Sequence, residues 1–203
     1  AITKTVIILA IVALIVVSLS LIFIIRGNSN KNEVLQIGVF TPLTGDAASY
    51  GQAIKQGLNL AQDDINKNGG IDGRQIELVY EDTHLDSKEA VSVMNKFVYV
   101  NNMHIVIAAE GSGATSAAVP LADKTKTLTM IPIASTPTLK DAGDYVFRVI
   151  SSDSYQGTEI ARLSNQLNKQ NAAILYVNDA YGTGIDGVFK QNLSINSLTL
   201  SSF

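Results

Sequence analysis

From Val34 onward, short apolar runs alternate with amphipathic stretches, the pattern of βαβ units and a mostly parallel sheet. VLQIGVF (34–40) reads as the first strand, and the loop TPLTGDAASYG (41–51) leads into a helix through about Lys67. Ile54, Leu58, Ala61 and Ile65 recur at spacings of four, three and four, which is one face of that helix. NGG (68–70) ends it, because glycine accepts the left-handed conformation at low cost. The tight turn IDGR (71–74) precedes a second strand, IELVYED (76–82). Asp86-x-x-Glu89 predicts a capping box for a helix that turns Val91, Met94 and Val98 inward. HIVIAA (104–109) and LTMIPI (128–133) are the third and fourth strands. The helix between them is expected to start near Ala117, since Pro120 suits a first turn. Tyr145 to Ile150 makes a fifth strand, followed by a helix over about Ser154 to Lys169 and the strand AAILYV (172–177). The loop NDAYGTG (178–184) opens a last helix through about Leu193, and SINSLTLSSF (194–203) carries neither a cap nor a clear element.

Five strands complete a doubly wound parallel sheet by Ile150, so the fold class is α/β with a first lobe over 34–150. Residues 151–203 supply one strand and two helices, too little for a second sheet domain, and read as an incomplete second α/β lobe. Upstream, Val6 to Ile25 is a run of 20 residues without a charge, broken only by Ser18 and Ser20. At ~1.5 Å per residue it makes a helix of ~30 Å, the thickness of a bilayer's hydrocarbon core. The run is long for a cleavable signal peptide, and RGNSNKNE (26–33) holds no small-x-small cleavage site. Residues 1–26 are therefore expected to be a membrane anchor or uncleaved signal segment, a transmembrane helix ahead of a polar spacer at 27–33. Lys4 on one side faces Arg26 and Lys31 on the other, so charge alone leaves the orientation open.

The chain has 203 residues and a formal charge of −3, and its aromatics are sparse, so no basic face for nucleic acid is expected. It has no cysteine, which excludes disulfides, thiolate metal sites, a Cys nucleophile and a lipid-modified Cys. Ligands of a doubly wound sheet bind beyond the carboxyl ends of its strands, where strand order reverses. Three loops rich in small and hydroxylated residues lie at such ends: 41–51, 110–117 and 134–139. The stretch EGSGATSAA (110–118) has the form of an anion-holding turn into a helix. It fails as a dinucleotide fingerprint, because Ser116 stands where the third glycine belongs, and as a P-loop, because no Gly-Lys-Ser/Thr closes it. Nor does it form a nucleophile elbow, since Gly111 and Gly113 flank Ser112 directly. A small carboxylate on Ser112 and nearby backbone N–H groups fits best. Glu81, Asp82, His84 and Asp86 resemble a metal cluster on paper, but a strand-to-helix loop uses such residues as caps, and His104 reads as structural. No cofactor or metal is expected, and no Ser-His-acid set supports an enzyme.

Several motifs occur together from about Leu35 to Leu193: IGVFTPLTGDAASYGQAIKQGLNLAQDDINKNGGIDGRQIELVYED, SGATSAAVPLADK, IPIASTPTL, VFRVISSDSYQG and AAILYVNDAYGTG. In this order and spacing the chain resembles the branched-chain amino-acid (Leu/Ile/Val-type) binding proteins of ABC importers, of the type I periplasmic binding protein family. The resemblance implies two α/β lobes closing on a small ligand, joined by a hinge whose first crossing falls near Val149 to Asp153. It implies that Ser112 and N–H groups of its loop, Gly113 included, hold the ligand carboxylate. Ser135 and the carbonyl of Ile133 would face the ammonium group, with Tyr50 at the cleft edge and Tyr181 contributed by the second lobe. Ile133 is bulkier than the residue often found there, which narrows the side-chain pocket. Second-lobe groups such as the acidic partner for the ammonium have no counterpart before Phe203, so the chain reads as C-terminally truncated and is expected to bind its ligand weakly or not at all.

The expected role is an extracytoplasmic solute-binding component of an ABC importer, with permease subunits as partners and the membrane engaged through residues 6–25. Its globular part would lie outside the cell membrane. The alternative is a ligand-sensing receptor ectodomain of the same fold.

Overall fold

The computed structural model describes residues 14–18, 20, 34–167, 171–193 and 196–201. Residues 14–18 and 20 are helical and exposed; the rest of the expected span over 6–25 lies outside the described residues. Among the described residues no helix is long and apolar enough to cross a membrane. The chain divides into two compact units, Gln36–Leu60 with Leu78–Phe203, and Ala61–Glu77 with Ala1–Leu35.

Five strands, β1 (Leu35–Thr41), β2 (Ile76–Asp82), β3 (Ile105–Ala108), β4 (Leu128–Ile131) and β5 (Val146–Arg148), form one sheet in the order β2-β1-β3-β4-β5. β1 pairs parallel with β3, β3 with β4 and β4 with β5. Four helices connect or follow them: α1 (Ala48–Lys67), α2 (Ser87–Asn95), α3 (Ser112–Thr125) and α4 (Asp153–Gln166). The last four residues of β1 are buried, as befits a strand inside a parallel sheet. Phe97, wholly buried, lies in a π-helical turn, Lys96–Val100, that extends α2. A Cβ on Gly38 would stand 2.7 Å from the Phe97 ring, so glycine in β1 is what lets that ring approach the sheet.

Two helices differ from their sequence expectations. α3 starts at Ser112, not near Ala117, and holds Pro120 in its interior. Its N-terminal turn closes through Thr115 N–H to the Gly111 carbonyl, and it buries Ala114, Ala118, Val119 and Ala122. That packing outweighs the hydrogen bond that proline omits. α2 is capped by Asp86, which accepts from the N–H groups of Lys88 and Glu89, but Glu89 turns to His84 instead of completing the box. Its inward face is Ala90, Val93 and Met94, continued by Phe97; Val91 and Val98 are only half-buried.

The unit containing 61–77 is built around a glycine turn. α1 ends as expected at NGG, with Gly69 and Gly70 both at positive φ. A Cβ at Gly70 would sit 1.9 Å from the Arg74 carbonyl oxygen, so no other residue fits there. The Asn66 amide then grips Ile76 at both backbone groups, at 2.7 and 2.8 Å, and aligns the start of β2.

The segment 194–203, expected to hold no element, contains a strand. β6 (Asn171–Tyr176) pairs parallel with β7 (Asn196–Ser201) through the intervening α5 (Ala180–Asn192). A parallel partner lies far away in sequence, so the SINSLTLSSF stretch carries no hairpin signal of its own.

The Gly38–Phe97 contact ties the stability effects of the two residues together. Phe97→Ala is expected to cost about 3–5 kcal/mol and Gly38→Ala about 1–3 kcal/mol. In the Phe97→Ala background the Gly38→Ala penalty should largely vanish, because the clash has gone. Urea denaturation of the four proteins checks this; additive costs would refute it.

Candidate functional site

The order β2-β1-β3-β4-β5 reverses between β1 and β3, so the loops leaving these two strands part and leave a crevice. Two neighbouring hollows occupy it. The first, about 170 Å³, is walled by Pro42, Ala47 and Tyr50 after β1, Leu85 after β2, Ala109 to Gly111 after β3 and Ile133 after β4. The second, about 240 Å³ and more open, is formed by Gly111, Ser112, Ile133, Ser135, Asp179 and Tyr181. Gly111 and Ile133 border both.

Of the six residues expected from sequence, Ser112, Ile133, Ser135 and Tyr181 therefore meet around the open hollow, and Tyr50 joins Ile133 around the apolar one. Gly113 borders neither, although it sits in the first turn of α3. A Cβ there would meet nothing closer than the Ser87 Oγ at 3.8 Å, so glycine is not sterically required.

Loop placement rests on hydrogen bonds that Asp82 collects. Its carboxylate accepts from the Leu43 N–H at 2.8 Å, the Thr44 hydroxyl at 2.5 Å and the His84 N–H at 3.0 Å. Burial pushes this carboxyl up, but those three bonds and the His84 charge prevail and hold it at about 2. The supposed metal cluster is thereby accounted for: Asp82 clamps the first loop, Asp86 caps α2, and Glu81 pairs with Lys96 at 2.6 Å. The hydrogen bond to Glu89, with the nearby carboxylates, raises the His84 pKa. His84 and Leu85 both adopt positive φ, 50° and 62°, an uncommon backbone that carries Leu85 to the apolar hollow. His104 serves through its carbonyl, which accepts from Leu128 N–H at 2.9 Å.

The two serines are committed in opposite senses. Ser112, 4% exposed, accepts a 3.3 Å hydrogen bond from the Thr136 N–H on its Oγ, so its own proton is free to donate into the hollow. Ser135 donates its proton to Asp153 Oδ2 at 2.8 Å, so its oxygen is left to accept. Arg148 fixes this second arrangement from behind, donating to the carbonyls of Ser135 at 3.2 Å and Thr136 at 2.8 Å. One side of the hollow is thus a donor, backed by the N-terminal N–H groups of α3, and the other an acceptor.

The far wall comes from α5. Thr136 Oγ1 donates to the Ala180 carbonyl at 2.8 Å. A Cβ on Gly184 would meet Pro137 Cδ at 2.7 Å, and one on Gly182 would meet the Val177 carbonyl oxygen at 2.0 Å. The glycines of NDAYGTG are therefore spacers for close approach. Asp179 caps α5 by accepting from the Gly182 N–H at 2.8 Å, and it borders the hollow. Sequence reasoning missed Asp179 and Asp153. The cap pattern Asp-x-x-Gly at a strand-to-helix junction was a usable signal for Asp179; nothing local announces the pairing of Ser135 with Asp153.

Sequence reasoning also passed over Glu110, which is completely buried. Its Oε1 accepts from the Thr83 hydroxyl, whereas Oε2 has no partner. Burial pushes its carboxyl up to about 7, against a hydrogen bond from Gly111 N–H that lowers it.

Residues 34–200 match the family model described as Periplasmic binding protein. The Leu/Ile/Val-binding protein BraC3 of Rhizobium johnstonii is 34% identical over 171 residues, 81% of this chain and 45% of that protein. The leucine-, isoleucine-, valine-, threonine- and alanine-binding protein of Pseudomonas aeruginosa is 29% identical over 173 residues, covering 84% and 46%. The branched-chain amino acid transporter substrate binding protein LivJ from Streptococcus pneumoniae, solved in complex with isoleucine, superposes with a TM-score of 0.74 at 34% identity. That likeness covers 84% of this chain and 50% of the other. The chain spans a little under half the length of the curated relatives it matches.

Glu110 sets a pH dependence. Its folded pKa of about 7 lies above the ordinary 4.5, so the folded state holds a proton that the unfolded state releases in that window. Stability from this group is complete below 4.5 and is lost as pH rises to about 7. At about 1.4 kcal/mol per pH unit, the loss reaches up to about 3 kcal/mol. Urea midpoints for the wild type should fall between pH 4.5 and 8, and Glu110→Gln should flatten that fall; His84 contributes in the same direction to both proteins and cancels in the comparison. Parallel curves would refute the assignment.

Proposed function

This chain belongs to the periplasmic binding protein family, and from that premise we propose that it is the extracytoplasmic solute-binding component of an ABC importer, taking a small amino acid of the branched-chain type between two lobes. The observation that carries this reading is the opposed commitment of the two serines across one hollow. A zwitterion needs donors at one end and acceptors at the other, brought together where water is scarce.

In this reading residues 34–150 are the first lobe and 151–203 belong to the second. The ligand carboxylate takes the Ser112 hydroxyl and the N–H groups of its loop, Gly113 among them. The ammonium group takes the Ser135 oxygen and the Ile133 carbonyl. Asp179 adds a negative charge at the hollow's border, and Tyr181 closes over the ligand from the second lobe. The side chain enters the apolar hollow beside Tyr50 and Ile133. Closure lowers the local dielectric and strengthens each of these bonds. Permease subunits receive the loaded protein, and the apolar run at 6–25 tethers it to the membrane with the globular part outside.

Two experiments test the reading. Isothermal titration of the chain with leucine, isoleucine and valine at millimolar concentrations is expected to show binding, and Ser112→Ala and Ser135→Ala should each weaken it about tenfold. The polarity is checked with ligand analogues: 3-methylbutylamine, with nothing in place of the carboxylate, should be indifferent to Ser112→Ala, and 4-methylpentanoate, with nothing in place of the ammonium, indifferent to Ser135→Ala. No heat with any amino acid, or variants that bind like the wild type, would sink the assignment. For the tether, the chain expressed in a bacterial host should sediment with membranes, resist alkaline carbonate and dissolve in detergent; release by carbonate would argue against it.

A further inference from the structure

Glu110 is the most deeply buried acid of the described residues. Its Oε1 accepts from the Thr83 hydroxyl, and its Oε2 has no partner. The Gly111 N–H also donates to this carboxyl. That amide stands one peptide unit before Ser112, at the head of α3, and Gly111 borders the open hollow together with Ser112. The buried carboxyl and an anion held by Ser112 therefore draw on the same helix N-terminus, whose partial positive charge amounts to only about half an elementary charge. Two full negative charges exceed what it can balance, and like charges that share a site raise each other's affinity for protons.

The surrounding groups do not relieve the conflict. Burial raises the Glu110 pKa, and the Asp82 charge at the end of β2 adds to the rise. Between β2 and α2, His84 pairs with Asp82 and Glu89, Asp86 caps the helix, and Lys88 is exposed. The first turn of α3 carries no charge, the loop after β1 carries only the exposed Asp46, and the loop 134–139 carries none. Arg148 is committed to the carbonyls of Ser135 and Thr136. We propose that the crevice takes up a proton on Glu110 with the carboxylate it binds, so that anion binding at Ser112 and protonation of Glu110 reinforce each other. The inference rests on the reading of Ser112 as the carboxylate seat. The coupling acts through the field across one peptide unit and needs no contact between ligand and Glu110. By linkage, the factor by which a bound anion raises the proton affinity equals the factor by which the proton raises the anion affinity. The sign follows from the order of the pKa values. Without ligand the carboxyl titrates at about 7, and a bound carboxylate moves it higher. Below about 7 Glu110 already holds its proton, and affinity does not change with pH. Above that point binding must draw a proton in, and affinity falls by up to about tenfold per pH unit.

The full chain is titrated by NMR at about pH 6 and about pH 8.5 with two probes, 4-methylpentanoate, ionised throughout, and 3-methylbutylamine, protonated throughout. The anion is expected to bind at least about fivefold more weakly at the higher pH, and the amine no more weakly than at the lower. Glu110→Gln should bind the anion equally at both. His84, whose pKa is raised above 6.5 by its hydrogen bond to Glu89, titrates in the same range. His84→Asn, which accepts the positive φ of that position, should therefore keep the fall. If Glu110→Gln does not fold, the wild type and His84→Asn decide. Anion affinity that is flat in the wild type, that keeps its fall in Glu110→Gln or that loses it in His84→Asn overturns this inference alone, as does an equal fall for the amine. An anion that binds at neither pH overturns it together with the carboxylate reading beneath it.

Discussion

The constraint on which the rest of this protein depends is the reversal of strand order between β1 and β3. Once β2 is added on one side of β1 and β3 to β5 on the other, the chain must leave the carboxyl ends of β1 and β3 in opposite directions. The gap that opens there cannot be filled by either connection, and the loops bordering it carry backbone N–H groups and carbonyls with no sheet partner. The residues in those loops are small where the backbone must come close and hydroxylated where a backbone group needs a mate. Gly38 serves the same architecture from below, since only a strand without a side chain at that point lets Phe97 cover the core beneath the crevice.

Within the crevice, chemistry is decided by what each polar group has already been asked to do. A serine in water is both donor and acceptor; Ser112 and Ser135 are each reduced to one role by a fixed neighbour, the Thr136 N–H in one case and Asp153 in the other. The resulting polarity across the open hollow is fixed before any ligand arrives, which lowers the reorganisation that binding would otherwise require. Asp82 acts one layer further out. Its strongly acidic carboxyl holds Leu43 and Thr44 in place and so keeps the β1 loop from collapsing into the apolar hollow.

Much of this was legible along the chain. Strands β1 and β2, the glycine stop after α1 and the Asp86 cap all followed from local patterns, because each depends on residues within one or two turns of it. The elements that misled were those set by distant partners. Pro120 argued for a late start to α3, but the burial of Ala114, Ala118 and Val119 carries the helix straight through it. β7 acquires its identity only from β6, more than twenty residues earlier. Four of the six expected site residues meet around one hollow because each lies just beyond the end of a strand, where the loops converge. Glu110 escaped notice because one acid at the head of a glycine-rich turn has no periodicity, and its meaning lies entirely in its burial.

Thr136 occupies a particular place in this arrangement. Its N–H is held by Ser112 and its hydroxyl by the Ala180 carbonyl at the start of α5, so one residue is the joint between the Ser112 side of the crevice and the wall opposite. A rigid joint of this kind couples two movements that would otherwise be independent. Any drift of α5 away from the β4 loop pulls on the same short segment that orients Ser112, and any tightening at Ser112 stiffens the seat of α5. Under the proposed function, the release of a ligand and the parting of the walls would then be coupled through a position that itself touches no ligand.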